Sequence, residues 1–122
     1  IRERVLEKVL EAEELMKEEK DTRRAIFMPQ WHVCKTVNCL GGWINIVHPQ
    51  GLLLEAIYGP ATAAAFILSA CGEKIPNFFD TQGSAASDRA MNWLRTGSQT
   101  DPALRGGLAL ITRNRSNTCD QE

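Results

Sequence analysis

Charge is scarce in the middle of this chain. Between Ala25 and Gly72 the only charged side chains are Lys35 and Glu55. Left in water, so long a charge-poor segment would expose a large apolar patch, so the middle third is expected to be mostly interior. Histidine is also rare: His32 and His48 are the only two, and any Cys–His or Ser–His machinery must use one of them. No C-x-x-C pair occurs, which excludes the spacing of dithiol oxidoreductases. The Gly41-Gly42 pair lacks the following lysine and hydroxyl residue of a phosphate-binding loop. A formal net charge of −1 provides no global field to recruit nucleic acid or a membrane surface. There is no convincing strand pattern, internal repeat or low-complexity segment.

The chain is 122 residues long, the size of a single domain, and its core is large enough to fold without disulfides or metals. It opens on Ile1 rather than methionine, the start expected of a piece of a longer precursor. The stretch from Leu52 to Cys71 has a membrane-spanning length, but Glu55 and the Gly59-Pro60 pair interrupt it and no basic residues flank it. It reads as two core helices. Residues 1–20 alternate charge rather than forming an apolar signal region. Cysteines at 34, 39, 71 and 119 are too few and too irregular for a secreted disulfide framework, which points to a reducing, cytoplasmic setting.

Helical periodicity runs through the chain. Over residues 3–20, Val5, Val9, Ala12 and Met16 form one stripe that Leu6, Leu10 and Leu15 widen. The pattern stops after about two and a half heptads, too few for a coiled coil. A connector follows, anchored by Phe27, Met28 and Trp31. A helix then fits 37–47, with Leu40, Trp43, Ile44 and Val47 on one face. Short helices are expected at 51–58 and 60–71, the second starting at Pro60 and apolar on every side, as a central buried element would be. Phe78 and Phe79 are expected to plug the core from the link before a helix at 84–96. Asp101-Pro102 opens a last helix with Leu104, Leu108 and Ile111 inward, ahead of a polar, frayed tail at 112–122. The fold class is all-α: a single compact domain of five to seven helices around a central Ala-rich helix.

The stretch CKTVNCLGGW, Cys34 to Trp43, concentrates the chemistry. With Thr36 as helix cap, Cys39 sits in the first turn, where free N–H groups and the helix dipole favour a thiolate. Cys34 then stands as a resolving thiol in a redox reading. A zinc reading adds His32 to Cys34 and Cys39; His48 would lie about 13 Å further along the helix, beyond reach of the same ion. The packing reading treats Cys39 as a small hydrophobe, Gly41-Gly42 as room for a close backbone approach, and Trp43 as an anchor. That reading is preferred, and with it no cofactor. From Gly83 to Cys119, five arginines (Arg89, Arg95, Arg105, Arg113, Arg115) outnumber two aspartates, a local excess that suits phosphate contacts.

The same ten residues resemble the C-x-T-x-x-C-[IL]-[AG]-G-W signature of a loose family of small bacterial and phage proteins with no assigned activity. There the motif opens a helix, followed by an alanine-rich helix ending near glycine, a phenylalanine-containing turn and another helix. Ala61 to Gly72, Phe78-Phe79 and Ala85 to Gly97 look similar. Gly41 stands where that family more often has alanine. The resemblance spans roughly residues 30–97, supports the helix and implies no function. By elimination, the chain is expected to be a non-catalytic protein that acts through contacts with another protein, phage or mobile-element origin included. A thiol or zinc regulator centred on Cys34 and Cys39, and a nucleic-acid binder using the arginines, are the alternatives.

Overall fold

In the computed structural model, which describes residues 1–98, five helices assemble into an all-α fold: α1 (Arg2–Glu18), α2 (Leu40–Val47), α3 (Gly51–Tyr58), α4 (Pro60–Ala70) and α5 (Gly83–Thr96). The expected helix after Asp101, the polar tail, and Arg105, Arg113, Arg115 and Cys119 lie outside the described residues.

α1 forms because Glu, Lys and Leu dominate its sequence and are strong helix formers. It buries Val5, Val9, Ala12 and Met16 as the periodicity requires. The wider stripe holds only at Leu6, which packs against the core; Leu10 and Leu15 are exposed, because only a narrow side of α1 meets α2 and α5. Its outer face carries Lys8–Glu11 and Lys17–Glu14 pairs one turn apart, each contributing a few tenths of a kcal/mol.

α2 starts three residues later than its periodicity suggests. The segment before it is held in extended bridges, Asn38 pairing with both Ile26 and His32. Asn38 N–H donates to the Ala25 carbonyl and Cys39 N–H to the Gln30 and Trp31 carbonyls. These bonds keep 37–39 out of the helix, and Cys39 rather than Thr36 becomes the cap. α2 is then buried along Leu40 to Asn45. Trp43 anchors it and donates its indole N–H to the Ala25 carbonyl at 2.9 Å. Gly41 and Gly42 are required by contact: a Cβ on Gly42 would sit 1.9 Å from the Trp31 carbonyl oxygen, and one on Gly41 2.3 Å from the Trp31 ring.

α4 begins with proline at its first turn and buries Ala63, Ala64, Ile67 and Leu68 against α2 and α3. Its other side faces out, with Phe66 half exposed. The charge-poor middle third is therefore not all interior. Leu52, Leu53, Ile57 and Tyr58 of α3 are exposed as well, because α3 spans only eight residues and packs on α2 and α4 from one side. Phe78 plugs the core as expected, but Phe79 stands outside at 71% exposure. Trp31 meets both rings edge-on.

α5 buries Ala86, Ala90, Trp93 and Leu94. It is tied to the N-terminus by Arg2, whose guanidinium donates to the Glu73 carboxylate at 3.1 Å and to the Leu94 carbonyl at 3.2 Å. A cation at a helix C-terminus also complements the helix dipole. Among the described residues, no helix is long and apolar enough to cross a membrane.

Candidate functional site

Cys39 is buried, and its Sγ accepts the Gly42 N–H at 3.4 Å. Burial pushes its thiol up to about 11, against the backbone N–H groups that lower it and with the nearby Glu55 charge adding to the rise. The helix start thus holds a buried thiol that caps and packs, with its protonated form favoured by burial. Cys34 is the reverse. It is exposed, and a hydrogen bond with the Thr36 hydroxyl lowers its thiol below the usual range, helped by that residue's backbone and by Arg23. Its Sγ lies 3.5 Å from Thr36 Oγ1 and 4.0 Å from Arg23 Nη2. Cys34 and Cys39 are both free thiols, whereas Cys71, buried at the end of α4, is disulfide-bonded. That bond runs against the expectation of a reducing setting.

His32 engages its two ring nitrogens elsewhere. Nδ1 lies 2.8 Å from Asn38 Oδ1, and Nε2 lies 2.8 Å from Glu55 Oε1. Asn45 donates to the same carboxylate oxygen at 2.8 Å and to the Pro60 carbonyl at 3.1 Å. One chain of hydrogen bonds, Asn38–His32–Glu55–Asn45, thereby ties the connector to α2 and α3. His32, Cys34 and Cys39 do not converge: among the described residues, no group of three or more His, Cys, Asp or Glu side chains is placed to hold a metal ion. His48 sits at the far end of α2 and accepts the Gln50 N–H at 3.1 Å.

The two described arginines of the basic set have different neighbours. Arg89 is ion-paired with Asp80, its Nε at 2.7 Å from the carboxylate. Arg95 borders a shallow cleft that it shares with the carboxylates of Glu13 and Asp88.

The feature that sequence reasoning missed is an apolar ridge. Leu53 and Ile57 lie one turn apart on α3, with Leu52 and Tyr58 beside them, all more than half exposed. The Tyr58 ring meets Phe66 of α4 edge-on, centroids 5.3 Å apart. Phe66 borders a groove of about 370 Å³ whose far side is built by Ile75, Pro76 and Phe79. Glu55 is the only charged residue of α3 and α4, and it turns inward to His32 and Asn45. Among the described residues of α3 and α4, no charged side chain therefore stands outward among these apolar ones. The ridge's one sequence signal was the scarcity of charge between 25 and 72, which does not distinguish a buried face from an exposed binding face.

Comparison with protein-family models, with curated proteins and with solved structures finds no match.

Proposed function

We propose that this chain is a non-catalytic interaction domain that docks an apolar, uncharged surface of another protein on the α3–α4 ridge. The observation that carries this reading is the run of exposed Leu52, Leu53, Ile57, Tyr58 and Phe66 with no charge among them. Contiguous apolar patches of this kind are rare on proteins without partners, and aromatic residues are enriched where partners bind. The absence of charge argues for an apolar counterpart rather than an acidic or basic peptide. A cytoplasmic setting belongs to the same proposal: exposed Cys34 is a free thiol there, and the disulfide at Cys71 is the observation that opposes it.

Photo-crosslinking in the native host tests the docking face. A photoreactive residue replacing Tyr58 should give a discrete adduct with another protein, and Leu53→Lys should abolish it. The same probe replacing Leu15 on α1 should give none. No adduct at position 58, or one that survives Leu53→Lys, overturns the reading. Leu53 is 63% exposed, so its replacement should change stability by less than about 0.5 kcal/mol.

A further inference from the structure

A second feature lies away from the ridge and shares none of its residues. Between the connector and the start of α5 is a cavity of about 530 Å³, within the range of small-molecule sites. Phe27, Pro29, Val33 and Val37 supply an apolar wall. Among the described residues, Arg23 and Arg24 are the only charged ones lining it. Each is held from one side, Arg23 by Asp21 through Nε and Nη2, and Arg24 by Asp88 through Nη1. A guanidinium has five N–H donors. The Nη1 of Arg23 and the Nε and Nη2 of Arg24 make no hydrogen bond among the described residues. Ile26 and the first turns of α5, through Gly83, Ser84 and Ser87, complete the described lining, and the helix cap, Gln82, makes no side-chain capping bond. The positive end of the α5 dipole therefore adds to the two cations.

We propose that this cavity binds a small amphiphile with a single carboxylate, its apolar body against Phe27, Val33 and Val37 and its head group at Arg23, Arg24 and the start of α5. The charges select the head group. Two guanidiniums already paired with two carboxylates leave only their free donors and a fractional helix charge, which suits a monoanion better than a phosphate dianion. The fully apolar wall excludes a ligand that is polar throughout.

Decanoate is a suitable probe, with 1-decanol and decylamine as controls, titrated into the full chain and followed by calorimetry and amide chemical shifts. Decanoate should saturate a single site and move the amides of residues 33–37 and 83–85. Arg23→Gln/Arg24→Gln should weaken it by roughly tenfold or more, and decanol and decylamine should bind at least as weakly. Should the double variant fail to fold, Ser84→Asp, at an exposed position, must produce the same loss. Absence of saturation with decanoate, equal binding of decanol, or binding abolished by Leu53→Lys with shifts confined to α3 and α4 overturns the proposal.

Discussion

α1 and α3 both expose leucines, yet they do so in opposite settings. On α1, Leu10 and Leu15 are separated by Glu11, Glu13 and Glu14 and flanked by Lys8 and Lys17, which keep the surface solvated. On α3, Leu52, Leu53 and Ile57 have no charged neighbour turned outward, and Tyr58 with Phe66 extends them into a ridge. A single exposed leucine carries little information, because more than half of an ordinary protein surface is apolar. What marks a face is the continuity of its apolar residues and the withdrawal of charge from among them. The two sides also differ in how they are held. The α1–α5 side is fastened by a buried ion pair, and the α2–α4 side by close backbone packing and a chain of neutral and charged hydrogen bonds.

Each kind of fastening can be broken separately. The largest loss is expected for Arg2→Ala. It removes one partner of Glu73, whose side chain is 1% exposed, and takes the guanidinium donor from the Leu94 carbonyl. Deleting one member of a buried pair costs about 3–5 kcal/mol, measurable by urea unfolding, and a loss below about 1 kcal/mol would show that Arg2 acts as a surface residue. On the other side, Gly42→Ala should cost about 3 kcal/mol, although alanine ordinarily stabilises a helix by about 1 kcal/mol over glycine. The Trp31 carbonyl, 1.9 Å from the added methyl, is backbone and cannot step aside cheaply. A neutral or stabilising result would mean that the connector is not seated on α2.

The smallest effect is the one that separates the two thiols. Cys39 titrates at about 11 in the fold against 9.0 in the unfolded chain. Its neutral form is favoured by folding, so its contribution is complete below pH 9 and is lost as pH rises from 9 to about 11. The whole shift corresponds to roughly 2–3 kcal/mol. Stability measured between pH 8 and 11 should decline, and Cys39→Ser, which keeps a capping oxygen, should flatten that decline. At neutral pH, iodoacetamide should label Cys34 in the native protein and reach Cys39 only on unfolding; equal labelling rates would remove the distinction.

Much of the local structure was legible. The stripe Val5, Val9, Ala12, Met16 predicts which side of α1 is buried, Pro60 marks the first turn of α4, and Gly41-Gly42 signals a close approach that Trp31 makes. The start of α2 was not legible. Thr36 and Cys39 are both sterically able to cap a helix, and the choice was made by hydrogen bonds from 38 and 39 to Ala25, Gln30 and Trp31. The clasp was hidden for a similar reason: His32 and Glu55 are 23 positions apart, and nothing in either one's surroundings names the other. Phe78 and Phe79 show the same limit at its sharpest, since adjacent aromatics of identical chemistry both meet Trp31 edge-on, yet one is buried and the other exposed.

By itself, then, the sequence determined which segments are helical and which stripe of each is apolar, because those properties arise from spacing and from residues within one turn of each other. Tertiary structure alone decided which apolar stripes are covered. The core closes around α2 once Leu40 to Asn45 are surrounded, and among the described residues the five helices leave much of α3 and the outer side of α4 exposed. The apolar residues left over form the ridge, and the same packing leaves the cavity beneath Arg23 and Arg24 at the start of α5.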